Sequence, residues 1–198
     1  LKKIEKNFFF YFVILFLITG IYFSLQTGIT HDEQYDLYVW QANQNLFLNK
    51  IFAYDLDTSY LKTGASMFYG SGFHIISLPI EFIIQKLNLI PDYDEETKIL
   101  LSKHATVFIF YIVSGLFLRQ ILKTIINNKS FANIGCIFYL LYPYLLGHSF
   151  FNVKDIPFLS IWLICTYLII KIFKIFVEKN TIKNKNLYLL SLFTAYLL

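Results

Sequence analysis

Apolar residues in this chain come in long blocks rather than in alternation with polar ones, a pattern that predicts helices and no sheet. Blocks near 8–26, 100–120, 131–148, 156–176 and 187–198 approach the roughly 20 residues that a helix needs to cross a hydrocarbon core. Between the first and second blocks the pattern changes. Residues 31–48 place Tyr35, Tyr38, Val39, Ala42 and Leu46 at helical spacing, with Gln34, Gln41 and Asn45 between them, and so predict an amphipathic helix lying at an interface. Thr30 followed by Glu33 is a capping-box pattern and marks its start. Residues 72–90 are apolar but contain Pro79, Glu81, Gln85 and Lys86, and are expected to form a second interfacial helix with Glu81 and Lys86 toward water or headgroups. The stretch 49–71 is irregular, and Gly64, Gly70 and Gly72 suit tight turns.

Composition turns these blocks into a membrane prediction. At 57% hydrophobic and 20% aromatic residues, 198 residues carry more apolar surface than a soluble domain of that size can hide. The expected class is an all-α, polytopic transmembrane protein. A net charge of +4 could suggest an acidic partner such as nucleic acid, but its distribution argues against that. Lys2, Lys3 and Lys6, then Arg119, Lys123 and Lys129, then Lys171 and Lys174 belong on one face by the positive-inside rule. That assignment holds only if 72–90 does not cross, which leaves Asp32, Glu33, Asp36, Asp55, Asp57, Asp92, Asp94, Glu95 and Glu96 on the other face. The first block exceeds a signal-peptide core and lacks a small-residue cleavage site, so it reads as a retained span. Cys136 and Cys165 lie in apolar blocks and suggest neither a disulfide nor a metal site.

This topology places two polar clusters on one membrane face: His31, Asp32 and Glu33 after the first span, and His148, Asn152, Lys154 and Asp155 before the fourth. A carboxylate base near an ammonium suits group transfer in which a nucleophile loses a proton as a phosphate leaves. Simpler roles exist for each residue. Asp32 favours a helix N-terminus without any chemistry, Asp155 with Pro157 resembles a helix start with Asp155 as N-cap and Pro157 in the first turn, and Lys154 suits a membrane boundary. His31, His104 and His148 have no close ligand spacing, so no metal site is expected.

The first span, the Asp32-Glu33 pair in a long outer loop, the juxtamembrane helices and the stretch Gly147-His148-Ser149-Phe150-Phe151-Asn152-Val153-Lys154-Asp155-Ile156-Pro157-Phe158 together resemble the N-terminal part of the GT-C membrane glycosyltransferases. The resemblance is to the bacterial family-39-like branch, with the protein O-mannosyltransferases and aminoarabinose transferases. It implies transfer of a sugar from a polyprenyl-phosphate donor to an acceptor that is a lipid, a glycan or a protein, with inversion. The reaction would take place at the outer face of a bacterial inner membrane; no cofactor is expected, and a requirement for a divalent metal is left open by the sequence. Asp32 matches the first acid of the family and would be the general base; Asp155 matches the second outer-loop acid. Lys154 would help hold the donor phosphate, Glu33 would support the site through its cap, and Asn152 and His148 complete the candidate substrate-binding set. Lys62 lies where some relatives have a phosphate-binding lysine, although its surroundings depart from theirs. The resemblance covers only the first part of such an enzyme, so this length alone is not expected to complete the reaction. The alternatives are a transporter or flippase of lipid-linked saccharide, with ionisable groups along a path, and a noncatalytic membrane scaffold.

Overall fold

The computed structural model describes residues 2–62, 72–179, 189–192 and 194, and every regular element among them is helical. In chain order these are α1 (Lys2–Ser24), α2 (His31–Phe52), a 3-10 turn (Ser59–Lys62), α3 (Gly72–Lys86), α4 (Glu95–Ile126), α5 (Lys129–Leu140), α6 (Pro143–His148) and α7 (Asp155–Lys179). Two of them, α4 and α7, are long and apolar enough to cross a membrane, and α1 carries a shorter apolar run, Phe8–Ser24. The span expected near 187–198 lies outside the described residues except for 189–192 and 194, which are helical. Gly64 and Gly70 also lie outside them.

Four helices form an alternating bundle around α4. At one end of α1, the Phe9 ring lies 4.8 Å from the Arg119 guanidinium; at the other, the Ser24 carbonyl accepts from His104 Nδ1 at 3.1 Å. Helices α1 and α4 are therefore antiparallel. Helix α5 runs back along α4, with Arg119 Nε donating to Asn133 Oδ1 at 2.7 Å and Tyr111 Oη to the Tyr139 carbonyl at 2.7 Å. Helix α7 then runs parallel to α4, since Ser160 Oγ donates to the Phe110 carbonyl at 2.9 Å and the Phe117 and Tyr167 rings lie 5.5 Å apart. Phe108, Tyr111, Leu140 and Ile156 form the shared core.

This order settles where the chain between α1 and α4 lies. Ser24 ends α1 beside His104 near the start of α4, so residues 25–94 leave and return at the same end of the bundle. Helix α3 has 15 residues and a length of about 22 Å, less than the roughly 30 Å of a hydrocarbon core. It stops at Lys86, and Asn88 turns the chain with a φ of 49°.

Two expectations change. The block at 131–148 is not one helix: α5 ends at Leu140, Tyr142 is extended, and α6 restarts at Pro143. Proline offers no N–H and disfavours helical geometry in the residue before it, which accounts for the break. Glu81 does not face water or headgroups. It is buried against Lys103 Nζ and Ser77 Oγ, and Lys103 Nζ also reaches Ser77 Oγ at 3.2 Å, which joins α3 to α4.

Candidate functional site

Helix α2 begins at the end of the bundle where α1 stops, and its cap determines what faces inward. Glu33 Oε1 accepts from the Thr30 N–H at 2.9 Å and from the Thr30 hydroxyl at 2.8 Å. Its other oxygen, Oε2, meets His104 Nε2. Both side chains are shut off from solvent, at 0% exposure for His104 and 3% for Glu33. Because a carbonyl can only accept, His104 Nδ1 must carry the hydrogen that reaches Ser24. A proton therefore also lies between Nε2 and the carboxylate, which makes a one-proton bridge linking α1, α2 and α4.

One turn further along α2, Asp36 faces the same way. Its Oδ1 lies 2.8 Å from Lys154 Nζ, and its side chain is only 6% exposed against 43% for the lysine. Burial holds the Asp36 carboxyl above its usual range; the hydrogen bond and charge of Lys154 pull it back only in part.

Lys154 comes from the turn that starts α7. Asn152 builds that turn, as its Oδ1 accepts the N–H of Lys154 at 3.1 Å and that of Asp155 at 2.8 Å. Its amide nitrogen donates to Asp155 Oδ2 at 2.9 Å and lies 3.0 Å from His148 Nδ1. Asn152 thus performs the capping that was expected of Asp155, which is the first residue of the helix. Pro157 falls within the first turn, where a missing N–H costs nothing.

Between the start of α2 and the α6–α7 turn lies a cleft of about 140 Å³, lined by residues that include Asp32, Glu33, Asp36, Asn152, Lys154 and Asp155. Five of the seven sequence-derived site residues therefore meet at one place. Asp32 and Asp155 are exposed there, and Asp32 makes no hydrogen bond or ion pair with a described residue. Glu33 borders the cleft, but its oxygens are taken by Thr30 and His104, so the structure gives it a bracing position. His148 is one step removed, between the Tyr144 and Phe151 rings at 4.5 and 5.6 Å, and reaches the cleft through Phe151 and Asn152, which line it. Lys62 ends the 3-10 turn, which rests on α2, and does not line the cleft.

Sequence reasoning missed Asp36 and His104 at this site, and His74 close by. The i, i+4 spacing of Asp32 and Asp36 was a usable signal for the first, since it puts both on one helix face. His74 of α3 is stacked 5.4 Å from Trp40 at an interplanar angle of 11°, and no hydrogen bond reaches its Nδ1. Burial, then the Lys103 and Lys154 ammonium groups, pushes its imidazole down to about 3, so the ring is neutral at physiological pH.

No family model matches the chain, and no curated protein or solved structure is significantly similar to it. The cleft has to be read from its own chemistry.

Proposed function

We propose that this chain is the N-terminal part of a membrane-embedded glycosyltransferase, and that its cleft activates an acceptor against a polyprenyl-phosphate sugar at the extracytoplasmic face. The observation that carries this reading is the meeting of an exposed Asp32, unpaired among the described residues, with Lys154 and Asp155 at one end of a bundle whose central helices suit a membrane. In the reaction, Asp32 takes the proton of an acceptor hydroxyl. The acceptor oxygen forms its bond to the anomeric carbon as the bond from that carbon to the phosphate oxygen breaks, and the electron pair leaves with polyprenyl phosphate. A lysine ammonium carries three N–H donors; Asp36 orients Lys154 at the lip of the cleft, where it can meet the leaving phosphate. Asp155, exposed in the same cleft, serves as a second acceptor for sugar or acceptor hydroxyls. Polarity along the bundle agrees with this orientation, since the acids gather at the cleft end and Arg119, Lys123 and Lys129 at the other.

A transporter of lipid-linked saccharide would need ionisable groups along an open path. The fully buried lysine and histidine of α4, Lys103 and His104, are instead each sealed against a carboxylate.

The test is sugar transfer by membranes containing the complete protein, with a polyprenyl-phosphate sugar as donor. Asp32→Asn should lose about 10²–10⁴-fold in rate, the usual contribution of a general base, with unchanged thermal unfolding. Asp92→Asn, at an exposed acid remote from the cleft, should transfer normally. Full transfer by the Asp32 variant would remove the proposed base.

A further inference from the structure

At the end of the bundle away from the cleft, α1 leaves a groove against α4 and α5. Its volume is about 330 Å³, within the range of about 300–1,000 Å³ common to small-ligand pockets. Phe9, Val13 and Leu116 form an apolar wall, and Arg119, Lys129 and Asn133 supply its polar rim. Arg119 is held in place: its Nε donates to Asn133 Oδ1 at 2.7 Å, and the guanidinium sits over the Phe9 ring at 4.8 Å. Among the described residues no carboxylate pairs with Arg119 or Lys129. Residues 119–130 add Lys123 and contain no acid. A guanidinium anchored through Nε still presents its two terminal nitrogens, a fork that suits a phosphate.

We propose that this groove binds an anionic phospholipid, with the phosphate on Arg119 and Lys129 and an acyl chain along Phe9, Val13 and Leu116. Charge complementarity selects this occupant: the wall is apolar, the mouth is cationic, and basic pockets between membrane helices take anionic headgroups. The inference rests on the membrane embedding proposed above and not on sugar transfer.

The test places a reporter at the groove with Phe10→Trp, in a complete protein whose other tryptophans are replaced by phenylalanine. Its fluorescence is read in vesicles of equal parts phosphatidylcholine and phosphatidylglycerol, with bromine on the chains of one lipid or the other. Brominated phosphatidylglycerol should quench the reporter more than brominated phosphatidylcholine. Each of Arg119→Gln and Lys129→Gln should weaken that preference about fivefold, the worth of one basic residue near an anionic surface. Glutamine at 119 keeps an N–H for Asn133, and Lys129 is exposed, so at least one variant retains the fold. Equal quenching by the two lipids, or a preference unchanged in both variants, would overturn the lipid site alone. Quenching by neither would overturn it together with membrane embedding. A preserved preference in a protein that transfers no sugar would support the lipid site and remove only the transferase reading.

Discussion

His104 and Glu33 bind each other while each serves a second partner, Ser24 and Thr30, so neither can be removed cleanly. Breaking a buried pair from one side strands the other charge, at a cost of about 3–5 kcal/mol. His104→Ala should therefore lower the unfolding free energy in detergent by about that amount, far more than Asp32→Ala, whose side chain is exposed. The Asp36–Lys154 pair leads to a pH prediction. Because burial raises Asp36 above 3.8 in the folded protein, the folded state binds more protons than the unfolded one between those two values. The stability contributed by protonated Asp36 is thus complete below 3.8 and is lost as pH rises through the folded value. Lys154→Met removes the groups that lower the folded value and should extend this loss to higher pH. Asp36→Asn should abolish it, as read by unfolding midpoints across pH.

At the scale of the elements, α1 meets α4 closely because Gly20 has no side chain. A Cβ there would stand 1.9 Å from Phe108 Cζ, and Phe108 is fully buried. Gly115 plays the same part for α5, where a Cβ would lie 2.7 Å from Leu140 Cδ2. Gly20→Val should cost at least the roughly 1–3 kcal/mol of an overpacked core, measured by thermal unfolding, and pairing it with Phe108→Ala should restore part of the loss. Outside the bundle, α2 and α3 are held by ion pairs, Glu33 to His104, Asp36 to Lys154 and Glu81 to Lys103. Hydropathy assigned both helices to an interface from their polar residues. It could not show that these acids point inward, because the cations that make burial tolerable come from α4 and from the start of α7.

For the whole molecule, the alternation of α1, α4, α5 and α7 predicts which positions share a side. With Cys136 and Cys165 replaced by alanine, single cysteines at Gln34 and Asp92 should react with an impermeant maleimide from one face of the membrane, and a cysteine at Lys129 from the other. Labelling of Gln34 and Asp92 from opposite faces would mean that α3 crosses, and the cleft could not form. Much of the architecture is legible in the sequence alone: the helical class, the start of α2 at Thr30 and the terminal position of the acids all follow from local sequence, because periodicity, capping and charge act within a few residues. Asp32, Asn152, Lys154 and Asp155 could be named from the inferred topology and the resemblance carried by the stretches around them. What only the tertiary structure decided was pairing. It paired Glu33 with His104 and Lys154 with Asp36, left Asp32 without a hydrogen bond or ion pair among the described residues, broke the block at 131–148 before Pro143, and placed Lys62 away from the cleft. Partners across α1, α2, α4 and α7 are far apart along the chain, and the geometry that brings them within hydrogen-bonding reach exists only once the helices have packed.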